Sequence, residues 1–187
     1  MTILDLIPTI VAAIVSMLCV LVVLFQFLTG VPPLSSNKAE RDDVVALLRQ
    51  VGLTEGAIIY ELGSGWGSLV VALTEAFPTA QIRGIEISPV PYWISCFRTR
   101  NMPAVQLQRR SFYDCDLSNA HAVTCYLMIK SMPRIAELLD RSLRPDTPVV
   151  SLSFWFRDRE ITASLDSAGQ LHATALYLWP ARRRVAF

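Results

Sequence analysis

The chain is poor in the residues that build metal centres and disulfide frameworks. It holds two histidines, His121 and His172, far apart and in no H-x-x-E or H-E-x-x-H pattern. Each reads as a surface or strand-edge residue. The four cysteines, Cys19, Cys96, Cys115 and Cys125, form no C-x-x-C pair. That argues against structural zinc or a disulfide framework and fits a reducing compartment. Charge is scarce too: 18% of residues are charged and the formal net charge is +1. No strong field points to nucleic acid, and none is expected as a partner. The chain has no internal repeat and no low-complexity segment. Apolar residues are abundant instead, at 52% of 187, with the excess at the N-terminus. One compact domain plus an appendage is expected at this length.

The appendage reads as a membrane segment. Ile10 to Leu28 is nineteen residues with only Ser16 and Gln26 polar. As a helix it reaches about 28 Å, close to the roughly 30 Å of a bilayer's hydrocarbon core. A cleaved signal peptide needs a basic n-region and a small-residue cleavage site, whereas this flank carries Asp5 and no Lys or Arg. The expectation is one uncleaved N-terminal transmembrane helix within residues 1–30. Lys38 and Arg41 follow it and nothing basic precedes it, which puts the rest of the chain on the cytoplasmic side. Gly30-Val31-Pro32-Pro33 stops the helix and makes a stiff, short connector. Residues 31–56 form a linker and covering helix, and 57–187 the main domain.

The main domain is organised around Tyr60-Glu61-Leu62-Gly63-Ser64-Gly65-Trp66-Gly67. An apolar strand, 57–62, runs into three glycines with one residue between each. A helix over 67–77 follows, with Leu69, Val70, Leu73 and Phe77 on one face. Glycine permits positive φ and keeps no side chain between ligand and backbone. The helix N-terminus adds unpaired N–H groups and partial positive charge. The spacing is G-x-G-x-G, not the G-x-G-x-x-G of a dinucleotide fingerprint. Glu86 ends the next strand, 81–87, nineteen positions after Gly67, where a carboxylate can accept from both hydroxyls of a ribose.

The pattern continues with a helix from Ser36-Asn37 to Gly52 ahead of the first strand, and a helix from Pro89 to Arg100. Strands follow at 105–110 and from Ala122 to Met128, then a helix from Ser131 to Leu143 and a strand from Pro148 to Phe156. Ile161–Asp166 and Leu171–Trp179 form a closing hairpin. This predicts an α/β, Rossmann-like, mostly parallel seven-stranded sheet with an antiparallel terminal strand. Little room remains for a helix between Phe156 and Ile161.

Glu61-x-Gly63-x-Gly65-x-Gly67 followed by Gly84-Ile85-Glu86 resembles the class I, or seven-β-strand, S-adenosylmethionine-dependent methyltransferases, over roughly residues 37–180. The resemblance implies S-adenosyl-L-methionine as cofactor. It is held by Gly63, Ser64, Gly65 and Gly67, with Glu86 on its ribose, Ile87 on the adenine face and Glu61 balancing its cationic end. Family members carry an acidic residue for the adenine amino group after the third strand. Here Arg110-Ser111-Phe112 stands at that place, so Ser111 would accept, Phe112 would stack or pack in the core, and Asp114 is the alternative acid.

After the fourth strand, Tyr126-Leu127-Met128-Ile129-Lys130 replaces the Asn/Asp-Pro-Pro-Tyr of enzymes that methylate exocyclic amines. Tyr126 reads as an acceptor-pocket wall or an ordinary strand aromatic. Together with the anchor and Ser131-Met132-Pro133, the chain is similar to small single-span protein-lysine methyltransferases, including those acting on the ATP synthase c subunit. Phe154-Trp155-Phe156 stands at the same sheet edge, with Trp155 the outlier from the core, and Arg182-Arg183-Arg184 is a short basic run. Two alternatives stand beside the lysine reading: a small-molecule or lipid acceptor, and a degenerate fold serving as a membrane-tethered interaction module.

Overall fold

The computed structural model describes residues 3–29, 36–167, 169 and 173–181, in two compact units divided after residue 33. The first is a single helix, α1 (Ile3–Thr29). Its side chains are described over 6–21, and those of 6–20 are exposed. Among the described residues no helix is long and apolar enough to cross a membrane. The expected span over Ile10–Leu28 therefore finds no support there, and the side chains of its residues 22–28 lie outside the described set. The connector Gly30–Pro33, Leu171, His172 and the run Arg182–Arg184 also lie outside the described residues.

The second unit opens with α2 (Lys38–Gln50), which starts at Asn37 because Asn37 and Glu40 cap one another. Asn37 Oδ1 accepts from the Glu40 amide at 2.9 Å, and the Asn37 amide donates to Glu40 Oε2 at 2.6 Å. Such a cap stabilises a helix by about 1 kcal/mol. Then follow β1 (Ile58–Leu62), α3 (Ser68–Ala76), β2 (Gln81–Ile85), α4 (Pro89–Thr99), β3 (Val105–Gln108), β4 (Ala122–Cys125), α5 (Met132–Ser142), β5 (Thr147–Leu152), β6 (Ala163–Leu165) and β7 (Thr174–Trp179).

These strands make one seven-stranded sheet in the order β3-β2-β1-β4-β5-β7-β6. β1 to β5 pair in parallel, and β7 runs antiparallel to both β5 and β6. The expected sheet is present with one change: the antiparallel strand is inside the sheet, and β6 takes the edge. Burial explains the swap. Every β7 residue but Leu178 is buried, whereas β6 is three half-buried or exposed residues, and a short, partly exposed strand is the one a sheet can leave at its edge. No helix lies between β5 and β6, as the short spacing requires.

Alternating side chains feed two cores. Ile59, Ile82, Val150 and Leu176 meet Val44, Leu47 and Leu48 of α2 and Leu69, Val70 and Leu73 of α3. Tyr60, Leu62, Val123, Val149 and Tyr177 point the other way, onto Ile135, Leu138 and Leu139 of α5. Helices on both faces of a parallel sheet force the ligand crevice to the C-terminal strand ends, where the strand order reverses. Here that reversal falls between β1 and β4. The strands also stop short of the expected ranges, at Ile85, Gln108, Cys125 and Leu152. Glu86, Ile87, Tyr126 and Ser153–Phe156 therefore belong to loops at that edge.

Candidate active site at the sheet's C-terminal edge

The loop after β1 is pinned by backbone. The amides of Gly63 and Ser64 both donate to the Ile85 carbonyl at 2.9 Å, and the Gly67 amide returns to the Ser64 carbonyl at 2.9 Å. That path needs left-handed backbone at all three glycines, with φ of 75°, 51° and 77° at Gly63, Gly65 and Gly67. Space is decisive at two of them. A Cβ on Gly67 would lie 2.3 Å from Ser95 Oγ, and one on Gly63 would lie 2.7 Å from Leu127 Cδ2.

Glu86 faces this loop. Its Oε2 accepts from the Gly65 amide at 2.8 Å and its Oε1 from the Ser88 amide at 2.7 Å. Each carboxylate oxygen can accept again, so the side chain is oriented by the loop and still able to receive hydroxyl donors. Ile87 beside it is 46% exposed, an apolar surface next to that carboxylate.

Glu61 is buried, and among the described residues neither its Oε2 nor the Ser64 Oγ has a hydrogen-bond partner. Burial, with the Glu86 charge second, pushes the Glu61 carboxyl well above the ordinary carboxylate range. Glu61, Gly63, Ser64 and Trp66 line a cleft of about 20 Å³ closed by Ser36, Ser68, Leu69 and Tyr126. A water-sized space beside a partnerless carboxylate oxygen suits a small cation such as an ammonium group. It is far too small for a nucleoside.

The β4 side of the cleft is built from side chains. Tyr126 is half-buried on the cleft wall. Its hydroxyl bonds to Ser153, and burial first, then the Glu40 charge, raises its pKa. Ser153 itself has φ 59°, with the Phe154 amide donating across it to the Leu152 carbonyl at 2.6 Å. A tight turn of this sign on a residue with a Cβ is strained. Cys125, next to Tyr126, is no nucleophile: burial pushes its thiol up to about 11, against a smaller opposing bond to Ser151.

Other expected residues fall elsewhere. Ser111 caps a 3-10 turn, Phe112–Asp114, its Oγ accepting from the Tyr113 amide at 3.2 Å. Phe112 packs against Tyr113, ring centroids 4.5 Å apart, and against the α5-side core. Trp155 is no outlier: it is half-buried, and its indole nitrogen donates to the Ala173 carbonyl at 2.9 Å. His121 is exposed at a strand edge, where its Nδ1 accepts from the Ile58 amide at 3.1 Å. Ser153 and Arg98 went unnoticed in the sequence. Arg98 donates to the Trp66 carbonyl and to Ser68 Oγ, both at 3.1 Å, and so clamps the glycine loop from α4. No motif marks these two, because each acts through a partner distant in sequence. Ser36, read from the sequence only as a helix start, also lines the cleft.

Three comparisons bear on this site. A protein-lysine N-methyltransferase of Saccharolobus islandicus is 22% identical over 137 residues, 71% of this chain and 85% of that protein. The RNA methyltransferase of Salinibacter ruber, solved with S-adenosyl-L-homocysteine, shares the fold at a TM-score of 0.70 and 23% identity, over 82% of this chain and 97% of its own. A mutant of MtNAS in complex with S-adenosylmethionine matches at a TM-score of 0.61 and 11% identity, over 73% of this chain and 60% of its own. S-Adenosylmethionine is the cofactor this fold carries, and the glycine loop, the oriented Glu86 and the partnerless Glu61 oxygen fit it. The model of the ANTKMT methyltransferase domain matches residues 61–163, more than half of the chain and every element from Glu61 to the Ser153 turn, and the chain belongs to that family of S-adenosylmethionine-dependent methyltransferases.

Proposed function

We propose that this enzyme methylates a lysine side chain of a membrane protein and that α1 anchors it to the bilayer. The observation that carries the chemistry is the shared cleft: Glu61, from the glycine side, and Tyr126, from the β4 side, face one small space. The lysine reading is supported by the relative named for that reaction and by Tyr126–Lys130 standing where exocyclic-amine enzymes carry another motif. The anchor reading is supported by the nineteen nearly unbroken apolar residues Ile10–Leu28 and by the continuous helix around them. On this reading the main unit lies on the cytoplasmic side.

S-Adenosylmethionine, when bound, supplies a methyl group on a positively charged sulfur. The residues assigned to hold it are Gly63, Ser64, Gly65 and Gly67 through bare backbone, Glu86 through its carboxylate, and Ile87 through apolar contact. Glu61 would meet its cationic end, and Ser111 and Phe112 are the assigned adenine neighbours. Tyr126 stays neutral, because its pKa is raised, so its hydroxyl can orient an incoming amine. Placement and exclusion of water supply the rate, and no catalytic dyad is required.

The test compares membrane fractions from cells with and without the gene, reading proteins and lipids by mass. A gain of about 14 Da per methyl on a lysine peptide is expected. A gain confined to lipids or small molecules would move the acceptor to the second reading. No gain anywhere, with function preserved in Glu86→Ala cells, would leave a binding module. Alkaline extraction that releases the chain from membranes would end the anchor reading.

A further inference from the structure

α4 presents an apolar face that none of the described residues of its own unit covers. Trp93 is 57% exposed, Phe97 66%, Ile94 41%, and Ile87, just ahead of the helix, 46%. Trp93, Ile94 and Phe97 stand at i, i+1 and i+4, so they share one side with Val90, which is buried in the first turn, while Pro91, Ser95 and Thr99 are buried on the other. Protruding rings and aliphatic chains grouped on one helix face mark a contact surface.

Arginines lie on and next to this helix, in a stretch bounded by Glu86 and Asp114. From Ile87 to Tyr113 the chain carries Arg98, Arg100, Arg109 and Arg110 and neither Asp nor Glu, in a protein of net charge +1. All four arginines are exposed. Arg100 lies 4.2 Å over the Phe97 ring and donates to the Phe97 carbonyl at 2.7 Å, which holds its guanidinium at the rim of the apolar face. Arg109 directly follows β3, the strand that packs against α4. Aromatic and aliphatic side chains between guanidiniums are what an interfacial helix presents to anionic headgroups, rings at the acyl boundary and charges among the phosphates.

We propose that the outer face of α4, through Trp93, Ile94 and Phe97, is a docking surface for an anionic phospholipid bilayer. A nucleic acid would use the arginines but leave Ile94 in water. Docking through α4 would set the sheet edge carrying Glu86 beside the membrane surface, because Arg98 ties this helix to the glycine loop. The proposal does not rest on α1 spanning a bilayer, and the experiment reads the two apart.

The full chain is mixed with vesicles of phosphatidylcholine, alone or with one third phosphatidylglycerol, each also made with brominated acyl chains. Sedimentation reports membrane association by any route, and bromine quenching of Trp93, obtained as the difference from Trp93→Phe, reports α4. Quenching of Trp93 is expected in the anionic vesicles only. Arg100→Glu and Arg109→Glu should each weaken that quenching-derived affinity about fivefold while leaving thermal midpoint and cofactor binding unchanged. A chain that sediments with Trp93 unquenched, or quenched equally in both lipids, overturns the docking surface and leaves α1 as the anchor. A chain in the supernatant with both lipids ends both readings. Shielding of Trp93 from iodide by an RNA oligomer but not by anionic vesicles would also overturn it.

Discussion

The two sides of the cleft reach left-handed backbone by opposite means. On the β1–β2 side, positive φ falls on glycines, and bonds from main-chain amides to Ile85 and Glu86 hold the loop. On the β4–β5 side it falls on Ser153, which has a Cβ, and a side-chain bond to Tyr126 helps hold it. The first arrangement is relaxed and prepares a fixed cradle. The second stores strain beside Tyr126, on the proposed acceptor side, which suits a wall that adjusts to its substrate.

Breaking the cradle should have the largest effect. In Gly67→Val the new Cβ would stand 2.3 Å from Ser95 Oγ with φ at 77°, and a loss of about 3 kcal/mol or more is expected. Calorimetric titration should then show no cofactor binding. Gly65→Ala sharpens the point, since its Cβ meets only the Gly63 carbonyl at 3.9 Å. It should cost only the conformational term, about 1–2 kcal/mol, in thermal or denaturant unfolding.

Glu86→Gln comes next. It removes the charge and one of the two acceptors engaged by Gly65 and Ser88, so cofactor affinity should fall about tenfold or more. An unchanged dissociation constant would remove Glu86 from the site.

Glu61 gives a pH signature. Its folded pKa is raised by burial and then by Glu86, so the native state keeps a proton that the unfolded chain loses near pH 4.3, roughly the ordinary glutamate value. Its contribution to stability is full below that pH and is lost as pH rises through the folded value. Glu61→Gln should flatten this decline in thermal midpoints. A cationic ligand should bind the wild type more tightly as pH rises through the same window, and the Gln variant should show no such rise.

The smallest effect should come from the strained side, and with the opposite sign. Ser153→Gly relieves a positive φ and should gain up to about 1 kcal/mol. Because Tyr126 loses its bonded neighbour, turnover should drop several-fold with cofactor affinity unchanged. A stability loss here would refute the contrast between the two sides.

The cradle was legible because its chemistry is local. Glu61, the three glycines and Glu86 lie on consecutive elements, and residue type alone states what each backbone position demands. Trp155 was misjudged because its indole partner, Ala173, is 18 residues away. Antiparallel β7 was foreseen, but its insertion between β5 and β6 depends on which strand can bury both faces.

The amino-acid order by itself determined the alternation of strands and helices, the missing helix before β6 and the glycine loop's demand for left-handed backbone, because periodicity and the lack of a Cβ act within a few residues. Only the folded chain decided that Arg98 would clamp that loop, that Glu61 would be left without a partner, and that Ser153 would carry strain beside Tyr126. Those outcomes depend on which distant atoms packing brings within reach and which it shuts away from water.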